Sequence, residues 1–186
     1  MVKMQHSALI CEFMIDAGGE FKSDGLRTFL KELGINILTS VSHMHQQNGH
    51  AEWFIQTIIE KAQAIHLESC IPQNWWEFAV NYTVHVYNCT PLKCASDDYK
   101  TPFERLQCRK PDVAHLRVFG CGGAYIFLPE DMCTNNLSPR SELMTFIGLS
   151  EGTKGYIFMR SPNNIIFTAI QALFSRTLFP KCPNMC

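Results

Sequence analysis

Two acidic residues, Asp16 and Glu52, occupy positions where their carboxylates could act together. Asp16 follows a mostly apolar run, and Glu52 opens a run with helical periodicity after a polar loop. The 35 residues between them are enough for a helix that returns the chain to the same sheet edge. Paired carboxylates suit Mg²⁺, which prefers oxygen ligands, and two such ions can stabilise a phosphoryl transfer. The pair is therefore a candidate metal site.

Asp16 and Glu52 could instead have purely structural roles. An aspartate close to two glycines is often a turn residue, and a glutamate in a first helical turn complements the helix dipole. Three loop histidines, His43, His45 and His50, suggest a zinc site, but no cysteine lies near them in the sequence. Their spacing also differs from that of known zinc motifs.

A strand, a helix and a second strand are predicted to position Asp16. Residues 7–15 form an apolar run bounded by glycines, and residues 35–39 form another, which is typical of strands buried on both faces. The helix between them can be capped by Ser23 and ended by Gly34. Its apolar stripe is Leu26, Phe29, Leu30 and Leu33. This order predicts a parallel strand pair with a right-handed crossover.

Three further helices are predicted after the loop at residues 40–49. The first starts near Ala51, the second follows Pro72, and a short third one carries Pro102 in its first turn. The apolar stripe of the first is Ile55, Ile58, Ile59, Ala62 and Ile65. That of the second is Trp75, Phe78, Ala79, Tyr82 and Val86.

The composition changes near Lys110. Four runs with strand-like composition follow, separated by glycine, proline, asparagine and serine, and such spacing is typical of a small barrel or sandwich. We therefore expect an α/β domain over residues 1–110, a small β domain over 111–180 and a frayed tail over 181–186.

Composition limits the classes of function. The formal net charge is -1, so nucleic-acid binding would depend on local patches or metal rather than on overall charge. The nine cysteines include no C-x-x-C pair and follow no signal-peptide pattern, which favours reduced thiols inside the cell. No apolar run is long enough to predict a membrane span.

Several motifs give the sequence a specific resemblance. "DAGGEF" and "QQNGHAE", with 35 residues between the acids, are followed by "TPFERL", "KPDVAHLRVFGCGGAYIFLP" and "FIGLSEGTKGYIF". Together they resemble, in the same order, the integrase of copia-type LTR retrotransposons, a part of the Pol polyprotein. The resemblance covers residues 10–179.

The resemblance implies a ribonuclease H-like catalytic core, here truncated, followed by an SH3-like β-barrel. It implies metal-dependent DNA cutting and joining, with Mg²⁺ or Mn²⁺ held by three acids. Asp16 takes the place of the second acid and Glu52 that of the third. Residues Gln47, Asn48, Gly49 and Gln56 take nucleic-acid-binding positions. Element ends and target DNA are the implied partners, with a homo-oligomer and a nuclear location.

The sequence also departs from this family. No aspartate precedes Asp16, so the first catalytic acid is absent, and we expect the isolated chain to be inactive. Three basic positions after the glutamate have become Trp53, Phe54 and Gln56, which removes phosphate contacts. The alternative function is a non-catalytic module that binds nucleic acid or protein. A further alternative is a sequence that does not fold, because its sheet edge lacks a partner strand.

Overall fold

The protein has a mixed α/β structure, which confirms the predicted class at that level. The computed structural model describes residues 10–15, 23–39, 49–93, 98–122, 124–127, 141–150 and 154–181, with backbone alone for His50 and residues 124–127. These residues cluster into two compact units: residues 1–57 with 103–110, and residues 58–102 with 111–186. The division at Lys110 stays a prediction, and the tail at 182–186 lies outside the described residues.

The first unit contains the predicted strand, helix and strand. Strand β1 (Glu12–Ile15) pairs in parallel with β2 (Asn36–Thr39), and helix α1 (Asp24–Glu32) connects them. The Ser23 hydroxyl accepts a hydrogen bond from the Leu26 N–H at 3.3 Å, which confirms the predicted cap. Gly34 follows the helix with a φ of +69°, a conformation that favours glycine.

The expected burial of these strands on both faces is wrong. Only Ile15 of β1 is buried, whereas Phe13, Met14 and Leu38 are exposed. The physical reason is that the described part of this sheet has two strands, and a second apolar face is buried only when another layer covers it. On α1, Leu30 is buried and Phe29 is exposed.

Two long helices follow. Helix α2 (Gly49–Ser69) is joined through a 3-10 turn (Gln73–Trp75) to helix α3 (Trp76–Asn88). The α3 stripe is confirmed, because Ala79 and Tyr82 are buried and the other three residues pack against the core. The α2 stripe is only partly right, since Ile58 and Ala62 are buried while Ile55 and Ile59 are exposed.

The remaining elements of the second unit are mainly strands. A short hairpin, β3 (Leu92–Lys93) and β4 (Tyr99–Lys100), precedes α4 (Pro102–Gln107), which belongs to the first unit from Phe103 onward. The main sheet contains β5 (Ala124–Phe127), β6 (Ser141–Leu149), β7 (Tyr156–Arg160), β8 (Ile165–Ala169) and β9 (Ala172–Leu173). It is antiparallel with strand order β8-β7-β6-β5-β9. Within the described strands it is open, with no closed barrel.

An aromatic cluster forms the centre of the second unit. Phe146 on β6 is fully buried, and its ring meets those of Tyr82, Tyr156, Phe158 and Phe174 at centroid distances of 5.5–6.0 Å. The cluster packs α3 onto the sheet. Within the described ranges, every helix is too short or too polar to cross a membrane.

The cysteines differ in part from the expectation of reduced thiols. Cys89, Cys108 and Cys121 carry free thiols, whereas Cys70 is disulfide-bonded. Burial raises the pKa of the Cys121 thiol to about 11, so this thiol is a packing residue rather than a reactive one.

Candidate functional site

Glu52 lies in the first turn of α2, as predicted from the helical periodicity. Its side chain is exposed, and so is that of Gln56 one turn later. Residues four apart share a helix face, so the two side chains lie on the same side of the helix that Gly49 begins. An exposed carboxylate has the oxygen chemistry that Mg²⁺ or Mn²⁺ prefers.

The predicted site residues Asp16, Gln47 and Asn48 lie outside the described residues, whereas Gly49 is the first residue of α2. Asp16 is the residue after Ile15, the last residue of β1, and Gln47 and Asn48 directly precede α2. The pairing of Asp16 with Glu52 therefore stays a prediction. His43 and His45 of the zinc alternative also lie outside, as does the side chain of His50. Among the residues that the structure describes, no group of three or more His, Cys, Asp or Glu could hold a metal.

The start of α2 is apolar where the resembled family is basic. Trp53 is 60% exposed, Ile55 is 60% exposed and Phe54 is 39% exposed. Aromatic and aliphatic side chains at this exposure cannot make the ionic phosphate contacts of arginine or lysine, although their ring faces can stack on bases. These three apolar side chains, of residues 53–55, are exposed around the start of α2 rather than on one face, because consecutive helix residues lie about 100° apart.

A second site lies in the other unit, and sequence reasoning missed it. A pocket of about 770 Å³ is lined by α3 and by the strands β6 and β7 with their connection. At its wall the Nε2 atoms of His85 and His115 are 3.0 Å apart. Their rings meet with centroids 5.3 Å apart at an angle of 66°. Asp112, Lys154 and Tyr156 also line this pocket.

Hydrogen bonds hold the segment that carries His115 against α3. The Tyr82 hydroxyl donates to the Arg117 carbonyl and accepts from the Arg117 N–H at 3.0 Å. The Arg117 guanidinium donates to the Ala114 and Leu116 carbonyls and lies over the rings of Tyr156 and Phe174. Arg117 is therefore occupied in structural contacts rather than held ready for phosphate.

A signal for the histidine pair was present in the sequence. His85 is three residues after Tyr82 and seven after Phe78, so it belongs to the buried side of α3. A polar ring on such a face needs a hydrogen-bond partner. The partner itself, 30 residues further along the chain, could not be identified from local pattern.

Stability should depend on the protonation of His85. Burial, followed by the nearby His115 ring, lowers the pKa of His85 below 6.5. The unfolded chain therefore binds a proton at a higher pH than the folded chain. This contribution to stability is complete above pH 6.5 and is lost as the pH falls through the folded-state pKa. Urea unfolding at several pH values between about 5 and 7.5 measures it. A wild type whose pH dependence equals that of His85→Gln would contradict this prediction.

No protein-family model matches the chain. It is similar, however, to a class of mobile-element proteins, the retrovirus-related Pol polyproteins of transposons. It is 27% identical over 165 residues to the retrovirus-related Pol polyprotein from transposon RE2 of Arabidopsis thaliana, covering 89% of this chain and 11% of the relative. With the one from transposon RE1 of the same plant it shares 27% over 168 residues, or 90% of this chain and 11% of the relative.

A third relative comes from Nicotiana tabacum. The chain is 28% identical over 141 residues to the retrovirus-related Pol polyprotein from transposon TNT 1-94, covering 76% of this chain and 10% of the relative. The chain thus spans about a tenth of the length of these curated relatives. The similarity confirms the resemblance to copia-type Pol polyproteins.

One solved structure is a more distant match. The cryoEM structure of the simian T-cell lymphotropic virus intasome in complex with PP2A regulatory subunit B56 gamma contains a chain with 13% identity and a TM-score of 0.44. The match covers 91% of this chain and 59% of that chain. This score lies below the range that indicates a shared fold, and no conclusion about this protein depends on it.

Proposed function

We propose that the chain is the integrase segment of a retrotransposon Pol polyprotein and acts on DNA. The observation that carries this proposal is the similarity to three transposon Pol polyproteins over 76–90% of the chain. The colinear motifs around Asp16 and Glu52 support the integrase segment within such a polyprotein. A ribonuclease H-like core followed by an SH3-like β domain is the finer fold that we propose.

Within this proposal, Asp16 and Glu52 hold Mg²⁺ or Mn²⁺. The exposed carboxylate of Glu52 at the start of α2 supports this role, because a catalytic carboxylate must reach both metal and DNA. The bound ions would stabilise the charge that develops on the phosphate. Gln47, Asn48, Gly49 and Gln56 contact the nucleic acid beside the metal. Assembly as an oligomer on element ends and target DNA, in the nucleus, belongs to the same proposal.

A polypeptide of these 186 residues should be inactive in strand transfer on element-end DNA with Mn²⁺. The sequence has no aspartate before Asp16, and loss of one member of a catalytic set costs several powers of ten in rate. Product formed by the wild-type sequence and abolished by Glu52→Gln would contradict the expected inactivity while supporting the integrase assignment. Glu77→Gln, which removes an exposed carboxylate on α3, is the matched control.

Metal binding tests the site even without turnover. Water-proton relaxation with Mn²⁺ should show binding that Asp16→Asn and Glu52→Gln each weaken at least tenfold, because each removes a charged oxygen ligand. Glu77→Gln should bind Mn²⁺ like the wild type. Equal Mn²⁺ affinity in all four proteins would remove Asp16 and Glu52 from the proposed metal site.

The exposed apolar side chains of residues 53–55 favour a second candidate function, a non-catalytic binding module. Fluorescence anisotropy with DNA at increasing salt tests the nucleic-acid version of this module. Binding through phosphates weakens steeply, with a logarithmic slope of about −0.9 per phosphate contact. If a Trp53→Ala, Phe54→Ala double variant keeps full DNA affinity, these two aromatic side chains do not contact DNA. Their contact would then be with a protein partner. No DNA binding even at low salt would exclude the nucleic-acid version.

A further inference from the structure

The two imidazoles of the pocket in the second unit form a pair of nitrogen ligands. His85 is on α3, and His115 is on the segment that the Tyr82–Arg117 hydrogen bonds hold in place. The Nε2 atoms face each other at 3.0 Å and border a pocket large enough for several waters. At this distance one imidazole donates its Nε2–H to the lone pair of the other, so the pair shares one proton.

We propose that His85 and His115 form a binding site for a divalent transition-metal ion such as Zn²⁺, which takes the place of the shared proton. Tetrahedral zinc with bonds of about 2.0–2.1 Å needs its two nitrogens roughly 3.3–3.4 Å apart. The observed separation is 3.0 Å, so side-chain rotations that move each nitrogen by only a fraction of an ångström suffice. This proposal is independent of the integrase assignment.

The protons balance without a co-reactant. The imidazole that donates from Nε2 changes tautomer and carries its proton on Nδ1, which leaves both Nε2 lone pairs for the metal. No proton is released when both rings are neutral, and protonation of either ring competes with metal.

The remaining coordination positions face the pocket. Asp112 also lines the pocket, and its Oδ1 accepts a hydrogen bond from the Ala114 N–H at 2.9 Å. No group of three His, Cys, Asp or Glu among the described residues could hold a metal, so Asp112 is assigned a charge and not a ligand bond. Lys154 lines the same pocket, and its positive charge offsets the negative charge of Asp112. Because the described residues supply two ligands, water would complete the coordination and the ion would stay accessible to small molecules.

Thermal unfolding of the whole chain with and without Zn²⁺ tests the proposal. At a zinc concentration about ten times Kd, the midpoint of the wild type should rise by roughly 3–6 °C. His85→Gln and His115→Gln should lose this rise, because a glutamine amide is a poor zinc ligand but keeps a hydrogen bond. His66→Gln removes an imidazole on α2 outside this pocket, and this variant should keep the zinc-induced rise of the midpoint. A second control replaces His43, His45 and His50 together by Asn and should also keep the rise.

Cobalt gives an independent measure of the ligands. Co²⁺ bound to the wild type should show visible d–d bands without the near-ultraviolet charge-transfer band of a thiolate ligand, and the two glutamine variants should lack these bands. The proposal is overturned if zinc does not stabilise the wild type, if it stabilises His85→Gln and His115→Gln equally, or if a thiolate band dominates the cobalt spectrum.

Discussion

Replacing Phe146 by alanine should destabilise the second unit by about 3–5 kcal/mol. Phe146 is fully buried on β6, and its ring makes edge contacts with Tyr82, Tyr156 and Phe174. Truncation removes these contacts and leaves a cavity between α3 and the sheet. The other rings of the aromatic cluster are too rigid to fill this cavity. Urea unfolding, followed by circular dichroism, measures the change in free energy.

Two variants separate cavity formation from the general effect of shortening a side chain. Phe146→Leu keeps most of the volume and should cost less than about 1.5–2 kcal/mol. Leu173→Ala on β9 shortens a side chain that is 61% exposed, and should change stability by at most about 0.5 kcal/mol. A Phe146→Ala protein as stable as the Leu173→Ala protein would show that the aromatic cluster does not hold this unit together.

Local patterns were enough to predict most of the elements. The Ser23 cap, the apolar stripe of α3 and the first turn of α4 at Pro102 each depend on residues within a few positions of one another. Burial was harder to predict, because it depends on what covers a face. Phe13 and Leu38 have the residue type of buried strands, yet they are exposed in the described two-stranded sheet. Ile55 and Ile59 lie on a predicted stripe, but the core meets the adjacent face that carries Ile58 and Ala62.

The candidate sites divide in the same way. The position of Glu52 in the first turn of α2 follows from periodicity, and its role follows from the resemblance. The contact of His85 with His115 depends on a tertiary arrangement, in which α3 meets a segment 30 residues away. The Tyr82 hydroxyl fixes that segment through two backbone hydrogen bonds to Arg117, and nothing in the spacing of these residues predicts this pairing.

Replacing Gly120 by alanine should cost about 2–5 kcal/mol, from two additive causes. Gly120 has a φ of +74°, where an L-residue is strained. A Cβ there would also lie 2.1 Å from the Ser69 Cβ and 2.9 Å from the Ser69 Cα. Neither partner can easily withdraw. The Gly120 N–H donates to the Phe146 carbonyl at 2.8 Å, and fully buried Ser69 donates its hydroxyl to the His66 carbonyl at 2.7 Å.

Two further glycines separate the two causes. Gly34 has a similar φ of +69° with no atom within 4 Å of a built Cβ, so Gly34→Ala should cost only the backbone strain, about 1–2 kcal/mol. Gly25 in α1 has open space and no positive φ, so Gly25→Ala should stabilise by about 0.4–1 kcal/mol. Urea unfolding of the three variants should therefore order them as Gly25→Ala, Gly34→Ala and Gly120→Ala from most to least stable. Equal losses of unfolding free energy for Gly34→Ala and Gly120→Ala would mean that Ser69 moves aside. The contact between Ser69, at the end of α2, and Gly120 would then not be rigid.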